Sequence, residues 1–113
     1  MIGDVKDHVF HSAATAASDG AFFDNQAGFN WLLVDIDGVP TSFTLEFKYK
    51  ALGGVMKAMT GLNKNDGTTL ATSTVTTAQS WMFDISGCKK VYMDLTAITA
   101  GTGSLTVKGT GGY

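Results

Sequence analysis

Apolar and polar residues alternate with a period of two along much of the chain. The clearest run is Thr41 to Lys50, where Phe43, Leu45, Phe47 and Tyr49 interleave with Thr44, Glu46, Lys48 and Lys50. Successive side chains of an extended strand point to opposite faces, so this spacing predicts a strand with one buried and one wet face. Trp81, Phe83 and Ile85 alternate with Met82 and Asp84; beyond Ser86-Gly87, Val91, Met93, Leu95 and Ala97 alternate with Tyr92, Asp94 and Thr96. These runs predict a second strand pair. Leu105 and Val107 against Thr106 and Lys108 predict a last strand, entered through Ala100-Gly101-Thr102-Gly103, so that the C-terminal third forms a meander. The apolar phase names the expected core: Phe43, Leu45, Phe47, Trp81, Phe83, Val91, Met93 and Leu95.

Upstream, Val5 to Ser12, Ala21 to Asp24 and Phe29 to Ile36 predict further strands, the last ended by the turn Asp37-Gly38-Val39-Pro40. Gly53-Gly54 interrupts, Val55 to Thr60 follows, and Asn63-Lys64-Asn65-Asp66-Gly67 is a turn before Thr68 to Thr76. Ala13 to Ala17 and Val55 to Met59 could each form a helical turn, too short to stand without packing. Eight or nine short strands with turns between them predict an all-β fold: a two-sheet antiparallel β-sandwich, jelly-roll-like. The Gly-rich end, Gly109-Thr110-Gly111-Gly112-Tyr113, is expected to be a flexible tail.

Composition narrows this picture. A chain of 113 residues buries roughly 65% of the surface its unfolded form exposes, enough for one two-layer core, so residues 1–113 are expected to be a single domain. All eight basic residues are lysines, nine Asp and one Glu oppose them, and the formal net charge is −2. No basic stripe supports nucleic-acid binding, and without Arg there is no bidentate clamp for phosphate or carboxylate substrates. The lone Cys88 cannot form an internal disulfide, which fits assembly in a reducing cytosol. Met1 to Phe10 carries Asp4, Lys6, Asp7 and His8 without the apolar core of a secretory signal, and no run is long enough for a membrane helix. No membrane association is expected.

Candidate chemistry is sparse. His8 and His11 stand three apart on a predicted strand and should point to opposite faces, which prevents one metal from being shared within a chain. Cys88 has no neighbouring His in sequence and no Ser sits in a Gly-x-Ser-x-Gly elbow, so Cys88 is expected to be a small buried or turn-proximal hydrophobe. Asp35-Ile36-Asp37-Gly38 lacks the remaining acids of a calcium loop, and Asn63, Asn65 and Asp66 are what a tight turn demands. The expectation is no catalytic residue, no metal and no cofactor. Trp81, in phase with Phe83 and Ile85, is expected in the core rather than on a sugar platform.

Phe29 to Ile36 differs from the other strands because both faces are apolar: Leu32, Val34 and Ile36 on one, Phe29, Trp31 and Leu33 on the other. A strand of a two-layer fold needs only one buried face, so the second calls for a cover. Phe29, Trp31 and Leu33, or an exposed edge strand, are therefore the expected contact of a closed homo-oligomer, a dimer or a trimer; the alternative is that the N-terminal segment lies over the apolar face.

The segment from Trp81 to Val107, with its hydrophobic strand closing on Asp84-Ile85-Ser86-Gly87, then a strand, Thr96-Ala97-Ile98-Thr99, a Gly turn and a short terminal strand, resembles small tailed-bacteriophage and prophage virion proteins. Phe29 to Gly38 followed by Thr41 to Lys50 is similar to the paired strands such proteins place before an Asx-Gly turn. The resemblance implies a non-enzymatic structural or decoration role in a capsid or tail. It also implies location in the virion after assembly in the host cytoplasm, other virion proteins as partners, and a trimer as a reasonable oligomer. The rival expectation is a carbohydrate-binding module that binds a glycan through exposed aromatics.

Overall fold

The computed structural model describes residues 5–113, and all regular structure among them is β-strand. In chain order the strands are β1 (Val5–Ala14), β2 (Phe23–Asp24), β3 (Trp31–Gly38), β4 (Ser42–Lys50), β5 (Lys57–Ala58), β6 (Gly61–Asn63), β7 (Thr69–Leu70), β8 (Thr72–Ser73), β9 (Gln79–Asp84), β10 (Lys90–Thr99) and β11 (Leu105–Gly112). They form two antiparallel sheets. A six-stranded sheet runs β1-β11-β3-β9-β6-β7, and a five-stranded sheet runs β2-β10-β4-β5 with β8 against β4. The fold is a β-sandwich, as the alternation predicts. The part of the signal-sequence expectation that rests on Met1 to Asp4 lies outside the described residues.

Every residue of the expected core is buried, from Phe43 and Phe47 on β4 to Trp81 and Phe83 on β9 and Val91, Met93 and Leu95 on β10. The Phe47 ring packs against both Trp81 and Phe83, each at 4.9 Å between centroids, and so ties the two sheets together at the centre. The buried indole Nε1 of Trp81 donates to Gln79 Oε1 at 2.7 Å, which also accepts from Ser73 Oγ at 2.6 Å. Among the described residues no buried side-chain polar atom lacks a partner.

Strand neighbours depart from expectation. β9 and β10, expected to pair, lie in opposite sheets, as do β3 and β4; β10 pairs with β4 and β2, while β9 pairs with β3 and β6. The C-terminal third is therefore not a meander, because the chain crosses between layers at residues 85–89 and again at 100–104. A period of two reports which face is buried and carries no information about the partner strand. Thr68 to Thr76 also divides: β7 joins the six-stranded sheet, and after Ala71 β8 joins the other. The expected helical turns are absent; Ala13 and Ala14 end β1 instead, with Ala13 at a φ of 49°.

The Gly-rich end is a strand, not a tail. Residues 109–112 complete β11, which is hydrogen-bonded to β1 on one side and β3 on the other. The glycines leave room for rings: a Cβ on Gly111 would lie 2.6 Å from Phe23 Cζ, one on Gly109 would lie 2.8 Å from Phe10 Cε2, and one on Gly112 would strike the Trp31 indole. Aromatics from neighbouring elements fill the space that side chains of β11 would otherwise take.

Candidate interaction surface

Among the described residues, none forms a layer over the outer face of the six-stranded sheet. Cross-strand partners share a face, so the register lays out its rows directly. In one row Leu62 of β6, Met82 of β9, Leu33 of β3, Thr110 of β11 and Asp7 of β1 stand side by side. In the next, Asp84, Trp31, Gly112 and Val5 are aligned. On the other side Ser80, Asp35, Lys108 and Val9 form a polar row. Trp31, Leu33 and Met82 are half-buried, and Leu62 is 39% exposed. The result is an apolar strip of four side chains edged by charge.

Polar contacts organise its margins. Ser80 Oγ donates to Asp35 Oδ1 at 2.5 Å, and Thr110 Oγ1 donates to Asp7 Oδ1 at 2.8 Å. Beside the strip, Asp7, Val9, Asp35, Lys108 and Thr110 border a shallow depression of about 550 Å³. The Trp31 indole Nε1 donates to the carbonyl oxygen of Tyr113 at 2.9 Å, which holds the ring over Gly112.

Of the expected contact residues, Trp31 and Leu33 are on this outer face and Phe29 is not. Phe29 precedes the strand and is 5% exposed, its ring 4.8 Å from Tyr113 and 6.3 Å from Phe23. The cause is Asn25, wholly buried: its Oδ1 accepts from Phe29 N at 2.8 Å and its Nδ2 donates to the carbonyls of Phe29 and Cys88, both at 3.0 Å. That tight loop ends the strand phase before Phe29 and turns the ring inward. Sequence reasoning missed Asn25, and it missed Met82 and Leu62 because they come from strands whose adjacency to β3 is non-local. Among the described residues it is Tyr113, at the C-terminal end, that lies against Phe29 and binds Trp31; the part of the N-terminal alternative that falls on Met1 to Asp4 lies outside the described residues.

The histidines also depart from expectation. An irregularity between Val9 and His11 inserts an extra residue into β1 and reverses the alternation. Both rings consequently turn toward the other sheet. His8 Nε2 donates to the Ala21 carbonyl at 2.8 Å with its ring edge-on to Phe10, and the buried His11 Nε2 donates to the Met93 carbonyl of β10 at 2.6 Å. His11 thus pins β1 to the opposite sheet, and His8 ties β1 to the loop before β2. Cys88 is buried in the core cluster, its thiol pushed up by desolvation and then by the charge of Asp84. Asn63, Asn65 and Asp66 form a turn: Gly67 N donates to Asn63 O, Asn65 N to Asn63 Oδ1, and Thr68 N to Asp66 Oδ1. Among the described residues no three His, Cys, Asp or Glu side chains gather as a metal would require.

With this geometry in hand, the comparison with known proteins is decisive on ancestry: XepA sequences match residues 4–111. The chain belongs to the XepA family. The phage-like element PBSX protein XepA of Bacillus subtilis (strain 168) is 39% identical over 104 residues, covering 92% of this chain and 36% of XepA. The SPbeta prophage-derived uncharacterized protein YomS of the same organism is 38% identical over 108 residues, covering 96% of this chain and 87% of YomS. The crystal structure of SPBc2 prophage-derived YomS superposes with a TM-score of 0.90 at 33% identity, covering all of this chain and 96% of that one. That of the PBSX exported protein XepA gives 0.93 at 33% identity, covering all of this chain and 39% of XepA. The chain thus spans about a third of the length of XepA and of the similarly matched YqxG, at 36% and 34%, and nearly the whole of YomS. XepA and YomS are phage- and prophage-derived proteins, which agrees with the broader part of the resemblance seen in the sequence.

Proposed function

We propose that this member of the XepA family is a non-enzymatic structural or accessory protein of a phage particle, a closed homo-oligomer assembled through the outer face of its six-stranded sheet. One observation carries the reading: Trp31, Leu33, Met82 and Leu62 form a continuous apolar strip on a sheet face that none of the described residues covers. A symmetric contact buries the same strip on every copy and removes its exposure to water. The phage origin of XepA and YomS supports the particle as the setting, and the exported character of PBSX XepA supports a role outside the cell or at its boundary. A non-enzymatic role is supported by the engagement of the polar groups: both histidines bind carbonyls, and Asp66 and Asp84 close turns. The glycan-module reading has less behind it, because Trp81 lies in the core and Trp31 is tied to Tyr113.

Light scattering on the purified chain tests this. The expected mass is a small multiple of 11.9 kDa, with dimer and trimer both compatible with a symmetric strip. Trp31→Lys and, independently, Met82→Lys should shift the mass to the monomer with an unchanged far-UV spectrum, since a desolvated ammonium is costly at an interface and tolerated on a free surface. A wild-type protein that stays monomeric at millimolar concentration overturns self-assembly through this face.

A further inference from the structure

The end of the five-stranded sheet carries a second feature that self-assembly does not use. Half of the eight lysines, Lys48, Lys50, Lys89 and Lys90, lie on or beside two adjacent strands, β4 and β10. Lys48 is neutralised by Asp94 at 2.7 Å and Glu46 at 3.7 Å, and these are the ion pairs among the described residues. Lys50, Lys89 and Lys90 instead border an open cavity of about 490 Å³, as exposed to solvent as the depression beside the strip, together with Asp24, Gln26 and the turn at residues 51–54. That volume is within the range of small-molecule sites. Three ammonium groups against one carboxylate make this end positive in a chain whose formal net charge is −2.

Two of the three lysines are positioned by aromatic rings. Lys90 Nζ sits 4.6 Å from the centroid of the Phe22 ring and Lys50 Nζ 5.5 Å from that of Tyr92, with the two rings 5.6 Å apart. The backbone beneath them is locked, because Lys89 N donates to Lys50 O and Asn25 N donates to Lys89 O, each at 2.8 Å. The carboxylate of Asp24 is turned to its own loop, where Oδ1 accepts from Gln26 N. The far rim is the turn at residues 51–54, closed by Gly54 N on Ala51 O, with Gly53 at a φ of 65° and no neighbour within 4 Å of a Cβ placed there.

We infer that this cavity binds a phosphate ester, held by Lys50, Lys89 and Lys90. Lysine supplies point charges with rotatable donors, and a tetrahedral phosphate accepts from several directions at once. A planar carboxylate is matched best by the fork of an arginine, which this chain does not contain. A phosphate monoester carries about −1.5 to −2 at neutral pH, the magnitude that three lysines and one aspartate call for. The phosphate could stand on a soluble polyol or sugar or on a lipid headgroup, and Leu52, 85% exposed at the rim, is the residue whose contribution separates the two.

The test is an amide-shift titration of the whole chain at low salt with glycerol 3-phosphate, alongside glucuronate and glycerol. Saturable shifts confined to residues 51–54 and 89–90 are expected with glycerol 3-phosphate, with weaker shifts for glucuronate and none for glycerol. Lys50→Gln with Lys90→Gln should weaken binding about tenfold or more, since charge-assisted hydrogen bonds are among the stronger ones. The charge-matched pair Lys57→Gln with Lys108→Gln should leave binding intact, and thermal unfolding of each variant reports that the fold is retained. Vesicles of phosphatidic acid, whose headgroup is a phosphate monoester, and of phosphatidylcholine form the second arm. Anionic-vesicle binding weakened by Leu52→Ser, with the glycerol 3-phosphate shifts preserved, assigns the phosphate to a lipid; soluble binding without vesicle binding assigns it to a soluble ester. No saturable shift, equal response to glucuronate, or equal loss in both charge-matched pairs overturns the site.

Discussion

Phe83 shows how a single side chain can be judged from spacing alone. It falls in phase with Trp81 and Ile85, and it is 1% exposed against Phe47, with Gly61 leaving space for its ring. Phe83→Ala should therefore lower the unfolding free energy by about 3 to 5 kcal/mol, measured by denaturant titration, as expected for an aromatic truncated in a core. The aspartates of the turns are equally local. Hydrogen bonds from Thr68, chiefly from its backbone N–H, hold the Asp66 carboxyl below its ordinary range, and the backbone N–H of Ser86 does the same for Asp84. Because the folded state binds these protons less readily than the unfolded chain, their contribution is complete above the ordinary aspartate value near about 4 and fades as pH falls through the lower folded-state values. Asp66→Asn with Asp84→Asn should flatten the acid limb of melting temperature against pH by lowering the neutral value toward the acid one, since asparagine keeps an accepting oxygen but not its charge. Trp81, Cys88 and the turn residues were legible at this scale; Asn25 was not, because its four partners come from two loops that only the fold brings together.

At the scale of elements, β1 and β11 mark where pattern fails. In β1 the extra residue after Val9 reverses the phase, so that His8 and His11 share a side that simple alternation would deny them. In β11 the composition argues for a loop, yet the rings of Phe10, Phe23 and Trp31 occupy the places above its glycines. Raising strand propensity there should therefore do harm. Gly111→Val is expected to destabilise the protein by about 1 to 3 kcal/mol through overpacking against Phe23, whereas Thr110→Val, on the outer face, should be nearly neutral. Thermal or chemical unfolding of both variants checks this, and a stabilised Gly111→Val would show that the ring can move aside.

For the whole molecule, the order of strands assigns each one its protection from solvent. β11, β3 and β9 are bonded on both sides within their sheet, as is β10 between β2 and β4, while β7, β5 and β2 are edges of two or so residues. Amide hydrogen exchange should be slowest in β3, β9, β10 and β11, including residues 109–112, and fastest in the short edges. Rapid exchange at residues 109–112 would restore the expectation of a tail. The same order explains the two surfaces. Alternation along the chain determined that this is an all-β protein, which face of β4, β9 and β10 is buried, where most of the turns fall, and that both faces of β3 are apolar. Those properties depend on residues a few positions apart, which is the range over which side-chain direction and turn geometry are set. Only the tertiary structure decided that β9 and β6 extend the strip of Trp31 and Leu33 with Met82 and Leu62, and that lysines thinly spread in the sequence meet around one cavity. Strand partners are chosen by packing between distant segments, and a period of two is satisfied equally well by a hairpin and by a crossing to the opposite sheet.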